Sequence, residues 1–388
     1  MTKIIRDEIQ DDLLGRGYSR RQMMRAAMMF GGTAAALTLN PEIAFAAPGP
    51  QKTRIQIGAN ECWTGPMAPG LAAVAAAASQ SNRYSPNDEH GQLVKTISKV
   101  ENVPEDHIVT WPGSNMALAR AAMAYCSPTK GLVTADPTYE TIGGAAQFLG
   151  VPVKAVPLKA DYTHDVKAML AANPKAGVYY ICNPNNPTGT MTPTADIEWL
   201  VNNKPAGSMV VIDEAYIHWT TDYPNNSMAK LAVAGKDVMV MRTFSKIFGM
   251  AGMRVGYFMG RPDIIKKMVM YDDGLSYELA IPSAACANAS LTAHDLIDAR
   301  RKELIANRTM TEDFLKKRGL KLIGPSHANM LMIDWKTKSS KDMKAAFAAQ
   351  GVEIARVFPS WPTVSRISIG SKQDMQGFFA AFSKVVSA

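Results

Sequence analysis

The chain is predicted to be an α/β protein: a large domain with a mostly parallel sheet flanked by helices, joined to a smaller α+β C-terminal domain. Three observations predict this. The 388 residues exceed what one small core organises. From residue 108 onward, short apolar runs rich in β-branched residues alternate with helical stretches, the pattern of strands covered on both faces by helices. A lysine, an aspartate and Gly-Ser-Asn or Asn-Pro turns stand just after those runs, and such sheets bind ligands beyond the carboxyl ends of their strands.

The elements follow in order. Ser19-Arg20-Arg21-Gln22-Met23-Met24-Arg25 precedes an alanine-rich apolar run over residues 26–39 and then the small-x-small site Ala44-Phe45-Ala46. This resembles a twin-arginine signal peptide over residues 1–46, which implies export already folded and a periplasmic location. The run is shorter than the roughly 20 residues that span a bilayer, so a retained anchor is disfavoured. Asp7, Glu8, Asp11 and Asp12 dilute the positive charge ahead of the pair, and an amphipathic N-terminal helix with adjacent arginines is the alternative. Residues 47–80 read as an arm, a turn at Gly65-Pro66 and a helix over 71–79, completing part of the small domain.

The large domain is expected over residues 81–275. Its strands are predicted at 108–111, 132–135, 178–182, 209–212, 238–241 and 255–259, with a helix over 116–125. Residues 276–388 form the small domain, with a long helix over 293–317 and strands near 331–333 and 367–369.

Composition narrows the function. Hydrophobic residues at 47% and charged residues at 20% are ordinary globular values and exclude a disordered chain. The net charge of +8 comes from scattered Lys and Arg with no basic run interleaved with aromatics, so an anionic small molecule explains it as well as a nucleic acid would. Cys62, Cys126, Cys182 and Cys286 lie far apart with no CxxC pair, and the six histidines are dispersed. No metal site is expected, and the cysteines read as small buried hydrophobes.

The motif Thr243-Phe244-Ser245-Lys246 places one lysine among small and apolar residues, with Arg254 eight positions on. Before it stand Asn60-Glu61 with Gly65-Pro66, Arg83-Tyr84, Gly113-Ser114-Asn115, Pro137-Thr138-Tyr139, the run from Asn183 to Gly189, and Asp213-Glu214-Ala215-Tyr216. After it stands Arg366-Ile367-Ser368-Ile369-Gly370. In this order the motifs resemble those of fold type I pyridoxal-phosphate (PLP) enzymes, class I/II aminotransferases, near the histidinol-phosphate aminotransferase branch. The resemblance runs from about Gly58 to the C-terminus.

What the resemblance implies is specific. Lys246 forms an imine with the aldehyde of PLP, its neutral amine favoured by apolar surroundings and by Arg254. Asp213 faces the pyridine nitrogen as an anion, Tyr216 and Asn186 donate to the phenolic oxygen, and Tyr139 lies against the ring. Amides at Ser114 and Asn115 following Gly113, together with Thr243, Ser245 and Arg254, hold the phosphate at a helix start. Tyr84 reaches the phosphate of a neighbouring subunit, implying a homodimer with shared sites. Arg366 grips the substrate α-carboxylate as a planar fork, and Arg356 helps hold a distal anionic group. Asn60 and Trp63 are candidate substrate contacts, and with Phe358 and Trp361 the tryptophan favours a bulky or aromatic side chain.

The expected reaction moves an amino group from an L-amino acid to a 2-keto acid. An exported enzyme needs an acceptor outside the cell, so the alternative is a PLP enzyme of the same fold that needs none: an oxygen-dependent amino-acid oxidase, a decarboxylase or a lyase. A PLP-binding module without turnover would show a damaged catalytic set, whereas Lys246, Asp213, Tyr216, Asn186 and Arg254 are all present.

Overall fold

The computed structural model describes residues 6–30, 54–271 and 279–386. The Ala44-Phe45-Ala46 site, the apolar run from residue 31 onward and the boundary at 275/276 lie outside the described residues. The strands are β1 (Ile55–Ile57), β2 (Ile108–Trp111), β3 (Leu132–Asp136), β4 (Val153–Pro157), β5 (Val178–Cys182) and β6 (Met209–Asp213). They continue with β7 (Val238–Thr243), β8 (Gly256–Met259), β9 (Lys321–Ile323), β10 (Met330–Asp334), β11 (Val352–Ile354) and β12 (Val364–Ser368).

Seven strands form one sheet in the order β2-β8-β7-β6-β5-β3-β4. Only β8 opposes the others, being antiparallel to both β2 and β7. The mostly parallel sheet expected from the sequence is therefore present. Successive strand residues enter different cores: Tyr179, Ile181, Val210, Ile212 and Val240 pack on one face, Val178, Tyr180, Met209, Val211 and Met239 on the other. Side chains alternate along a strand, so a sheet buried on both faces reads as an unbroken apolar run. β4 departs from the expected set. It is an edge strand with Lys154 and Ala155 exposed and Pro157 at its end, and so lacks the apolar signature.

Strands β12, β10 and β9 form a second, antiparallel sheet, and β1 pairs in parallel with β11, Ile57 opposite Ile354. That pairing ties the segment before residue 60 to the C-terminal part of the chain. Helix His294–Lys316, 23 residues long, and helix Lys372–Val386 pack in the same C-terminal region. Helix Ile281–Leu291 instead lies against helices Ala68–Ala78 and Glu89–Glu101, on the side of β2.

The N-terminal residues differ from a segment lying outside the fold. Helices Asp7–Gly15 and Arg20–Phe30 pack on the large domain, with Ile9, Leu13, Tyr18 and Ala26 buried in one cluster with Ala117, Ala121 and Ile142. Ile9 and Leu13 are four apart and share a helix face, which explains the seating. Arg16 donates to the carbonyls of Cys126 (2.6 Å) and Met123 (2.8 Å), and the Tyr18 hydroxyl donates to Cys126 (2.9 Å). Arg20 and Arg21 are exposed on this docked helix. All four cysteines are buried free thiols.

All six parallel strands, β2 to β7, deliver their carboxyl ends to one side. Behind that edge, Arg242 on β7 pairs with Glu214 (2.8 Å) and Glu101 (3.0 Å), all three side chains being almost fully buried. Removing one partner of such a group leaves an uncompensated charge, at about 3–5 kcal/mol. The network thus braces the ends of β6 and β7 beside Asp213 and Thr243.

Candidate active site

A cavity of about 270 Å³ opens at those strand ends, lined by residues from both parts of the chain. β6 ends on Asp213. Its Oδ2 accepts from the Tyr180 hydroxyl (2.9 Å) and its Oδ1 from the Ala215 amide (3.0 Å). Burial raises the carboxyl above its usual range, opposed by those two donors and by Lys246. A buried anion facing a cavity calls for a cationic or proton-bearing ligand atom.

The turn after β7 supplies Thr243, Ser245 and Lys246. The Lys246 Nζ donates to the Asn60 carbonyl (3.2 Å) and lies 5.2 Å from the centroid of the Tyr216 ring. Burial pulls its pKa down to about 8, helped first by Arg366, then opposed by Asp213 and Glu61, with Arg254 the smallest contribution. The neutral amine expected at this position is brought within reach near neutral pH, but the principal neighbouring cation is Arg366, brought across from β12, rather than the sequence neighbour Arg254.

Tyr216 also lines the cavity, and its hydroxyl accepts from Asn60 Nδ2 (3.1 Å), which leaves the phenol proton available to a ligand oxygen. Asn60 itself is buried behind this contact, its amide N–H donating to Ser368 Oγ (2.8 Å). It braces Tyr216 and Lys246 rather than lining the cavity. Asn186 Oδ1 accepts from Arg366 Nη1 (2.7 Å), so its amide nitrogen remains for a ligand. Arg366 Nη2 donates to the Gly58 carbonyl (2.5 Å), and its buried Nε has no partner among the described residues.

An anion seat closes the other end. Helix Ser114–Tyr125 starts there, so its first amides and its dipole favour negative charge. Gly113 precedes it at φ +81, and a Cβ there would stand 2.3 Å from Arg254 Nη2. The positive φ favours glycine, and a side chain there would also push the end of Arg254 away from the seat. Thr243 donates to Ser245 Oγ (2.9 Å), and both line the seat with Arg254. Tyr139 donates to Asn115 Oδ1 (2.8 Å), which fixes its ring at the cavity wall.

The remaining expected residues fall differently. Arg356 lines the cavity but is ion-paired to Glu140 at 2.5 Å. Trp63 stacks on Trp219 (6.2 Å between centroids, 13° between planes) and donates to Glu303, in a neighbouring cleft. Trp361 meets Tyr162 edge-on at 5.8 Å, and Phe358 is buried beneath the arginines. Tyr84 stands outside the cavity, 96% exposed. Sequence reasoning assigned no role to Tyr180, Glu61 or Glu140. Tyr180 sits inside the apolar run of β5, where a tyrosine reads as core, and the two glutamates carry no spacing signal.

A family model for aminotransferase class I and II matches residues 53–382. The chain is 29% identical over 341 residues to a histidinol-phosphate aminotransferase of Moorella thermoacetica, covering 87% of this chain and 86% of that protein. It is 30% identical over 328 residues to an aromatic amino acid aminotransferase of Rhodococcus jostii, covering 84% and 88%. Among solved structures, a histidinol-phosphate aminotransferase from Sinorhizobium meliloti in complex with pyridoxal-5'-phosphate superposes with a TM-score of 0.78 at 23% identity, covering 89% of this chain and 99% of that one.

Proposed function

The chain belongs to the class I and II aminotransferases, enzymes that use PLP, and from that premise we propose that it moves an amino group from an L-amino acid to a 2-keto acid with Lys246 as the central residue. The residues fit the cofactor. An amine of depressed pKa, a buried carboxylate and a helix-start anion seat face one cavity, the set of groups that an aldehyde, a ring nitrogen and a phosphate require. When bound there, PLP supplies the electron sink that loosens the bonds at a substrate's α-carbon.

The chain's own residues do the rest. Lys246 holds the aldehyde end and, once displaced by the incoming amine, takes the proton from the α-carbon and returns it on the cofactor side. Asp213 holds a proton on the ring nitrogen. Tyr216 and the Asn186 amide orient the phenolic oxygen, Tyr139 covers the ring, and Ser114, Asn115, Thr243, Ser245 and Arg254 hold the phosphate. Arg366 binds the α-carboxylate, where its planar fork orients the Cα–H bond toward Lys246. The observation that carries this reading is the meeting of Lys246, Asp213 and Arg366 in one cavity.

Two further parts of the reading have separate support. The exposed Tyr84 ring is placed to reach a second subunit, as a homodimer with shared sites requires. Export to the periplasm rests on the Arg20-Arg21 pattern, whose guanidiniums are exposed.

The functional reading is tested by incubating the PLP form with amino acids under oxygen, with and without 2-oxoglutarate or pyruvate. Sustained keto-acid formation is expected only when an acceptor is present. Keto acid and peroxide formed without one would replace the transferase reading by an oxidase.

Uptake of PLP has an expected pH profile. The neutral amine is the nucleophile, and the lowered pKa puts its population half-way at about 8. Capture of PLP by the cofactor-free protein, followed by absorbance, should accelerate as pH rises toward that value and level off above it. A rate independent of pH from 7 to 9 would contradict the assignment.

A further inference from the structure

We propose that Glu140 is a specificity-determining residue that occupies Arg356 and so selects donors with neutral, aromatic side chains over donors with anionic ones. The proposal rests on the amino-transfer reading above and names what that site accepts. Glu140 follows Tyr139 directly, lines the cavity, and holds its Oε2 2.5 Å from Arg356 Nη2. The Arg356 guanidinium carbon lies 4.6 Å from the centroid of the Phe358 ring, and that of Arg366 lies 5.9 Å from the same centroid. Both guanidiniums therefore lie near one aromatic ring, and both line the cavity in which Arg366 provides the seat for the α-carboxylate.

Without Glu140 this mouth would present two cations to a donor carrying two anionic groups. With it, the charge of Arg356 is neutralised and one edge of its planar fork is taken. An anionic side chain must displace the glutamate and then remain near it, a like-charge contact that works against binding. An aromatic side chain displaces nothing and can lie over the guanidinium. Both partners of the pair are about half exposed, at 46% and 58%, so the pair adds little to fold stability. Its consequence is selective rather than structural.

The test uses the PLP-loaded protein and the spectral change on mixing with L-glutamate or L-phenylalanine, read as the ratio of their single-turnover efficiencies. The Glu140→Gln variant is expected to raise the glutamate-to-phenylalanine ratio about tenfold. The gain should shrink at high salt, where exposed charges are screened, and should vanish in the double variant with Arg356→Gln. A ratio unchanged in Glu140→Gln, or a gain that persists without Arg356, overturns the role of Glu140 while leaving amino transfer intact, because both donors still react. If neither amino acid alters the wild-type spectrum while another amino acid does, the proposal falls and amino transfer stands; if no amino acid alters it, both fall.

Discussion

Replacing Lys246 by alanine is expected to abolish turnover while leaving a folded protein that still binds PLP through its phosphate seat. Among the described residues the amine's one hydrogen bond goes to the Asn60 carbonyl, and burial lowers its pKa to about 8, so its removal takes away a poorly hydrated group rather than a structural brace. Loss of a positioned acid–base group alone lowers a rate by about 10²–10⁴-fold, and the loss of the covalent hold adds to it. In the wild type, adding an amino donor should shift the absorbance of the bound cofactor and release a ketone. In Lys246→Ala the ketone-forming change should be missing, with far-ultraviolet circular dichroism unchanged. Turnover within tenfold of wild type would remove the lysine from the mechanism.

The Asp213→Asn variant is expected to lose rate rather than affinity. The two side chains have nearly the same shape, but the aspartate is an acceptor on both oxygens, from Tyr180 and from the Ala215 amide. The asparagine oxygen can keep one of those bonds but its amide nitrogen cannot accept the other, and the negative charge that would hold a proton on the ring nitrogen is gone. A preorganised electrostatic contact of this kind is worth about 10²–10³-fold in kcat. KM for the amino donor should move much less, because Arg366 and the phosphate seat are untouched. The diagnostic comparison is therefore steady-state kcat against KM. A variant that keeps its kcat and raises only KM would assign Asp213 to binding and not to the chemistry.

The fold was legible where burial on both faces made strands continuous: β2, β3, β5, β6, β7 and β8 all stand out as apolar runs. β4 was hidden by its exposed edge and its terminal proline, and β1, β9 and β11 by their length of three residues each, too short for an alternating pattern to register. At the site, residues in tight turns after strands were legible because the turn chemistry and the strand end coincide, as at Gly113 and Asp213. What the chain order does not reveal is which distant groups meet. Arg254 is the near neighbour of Lys246 in sequence, yet Arg366 is the stronger electrostatic neighbour in space. Asn60 and Trp63 flank Glu61, yet one braces Tyr216 from behind and the other stacks on Trp219, while Glu61 faces the cavity. The N-terminal helices show the same limit, since their composition resembles an export signal and says nothing of the surface on which Ile9 and Leu13 are seated.

The central claim is that Lys246 carries the cofactor. Borohydride reduction of the folded, PLP-supplied protein, followed by proteolysis and peptide mapping, tests it most directly. The account predicts a single pyridoxyl label, on Lys246; a label on another lysine, or an unlabelled Lys246 in protein that has taken up PLP, would contradict it.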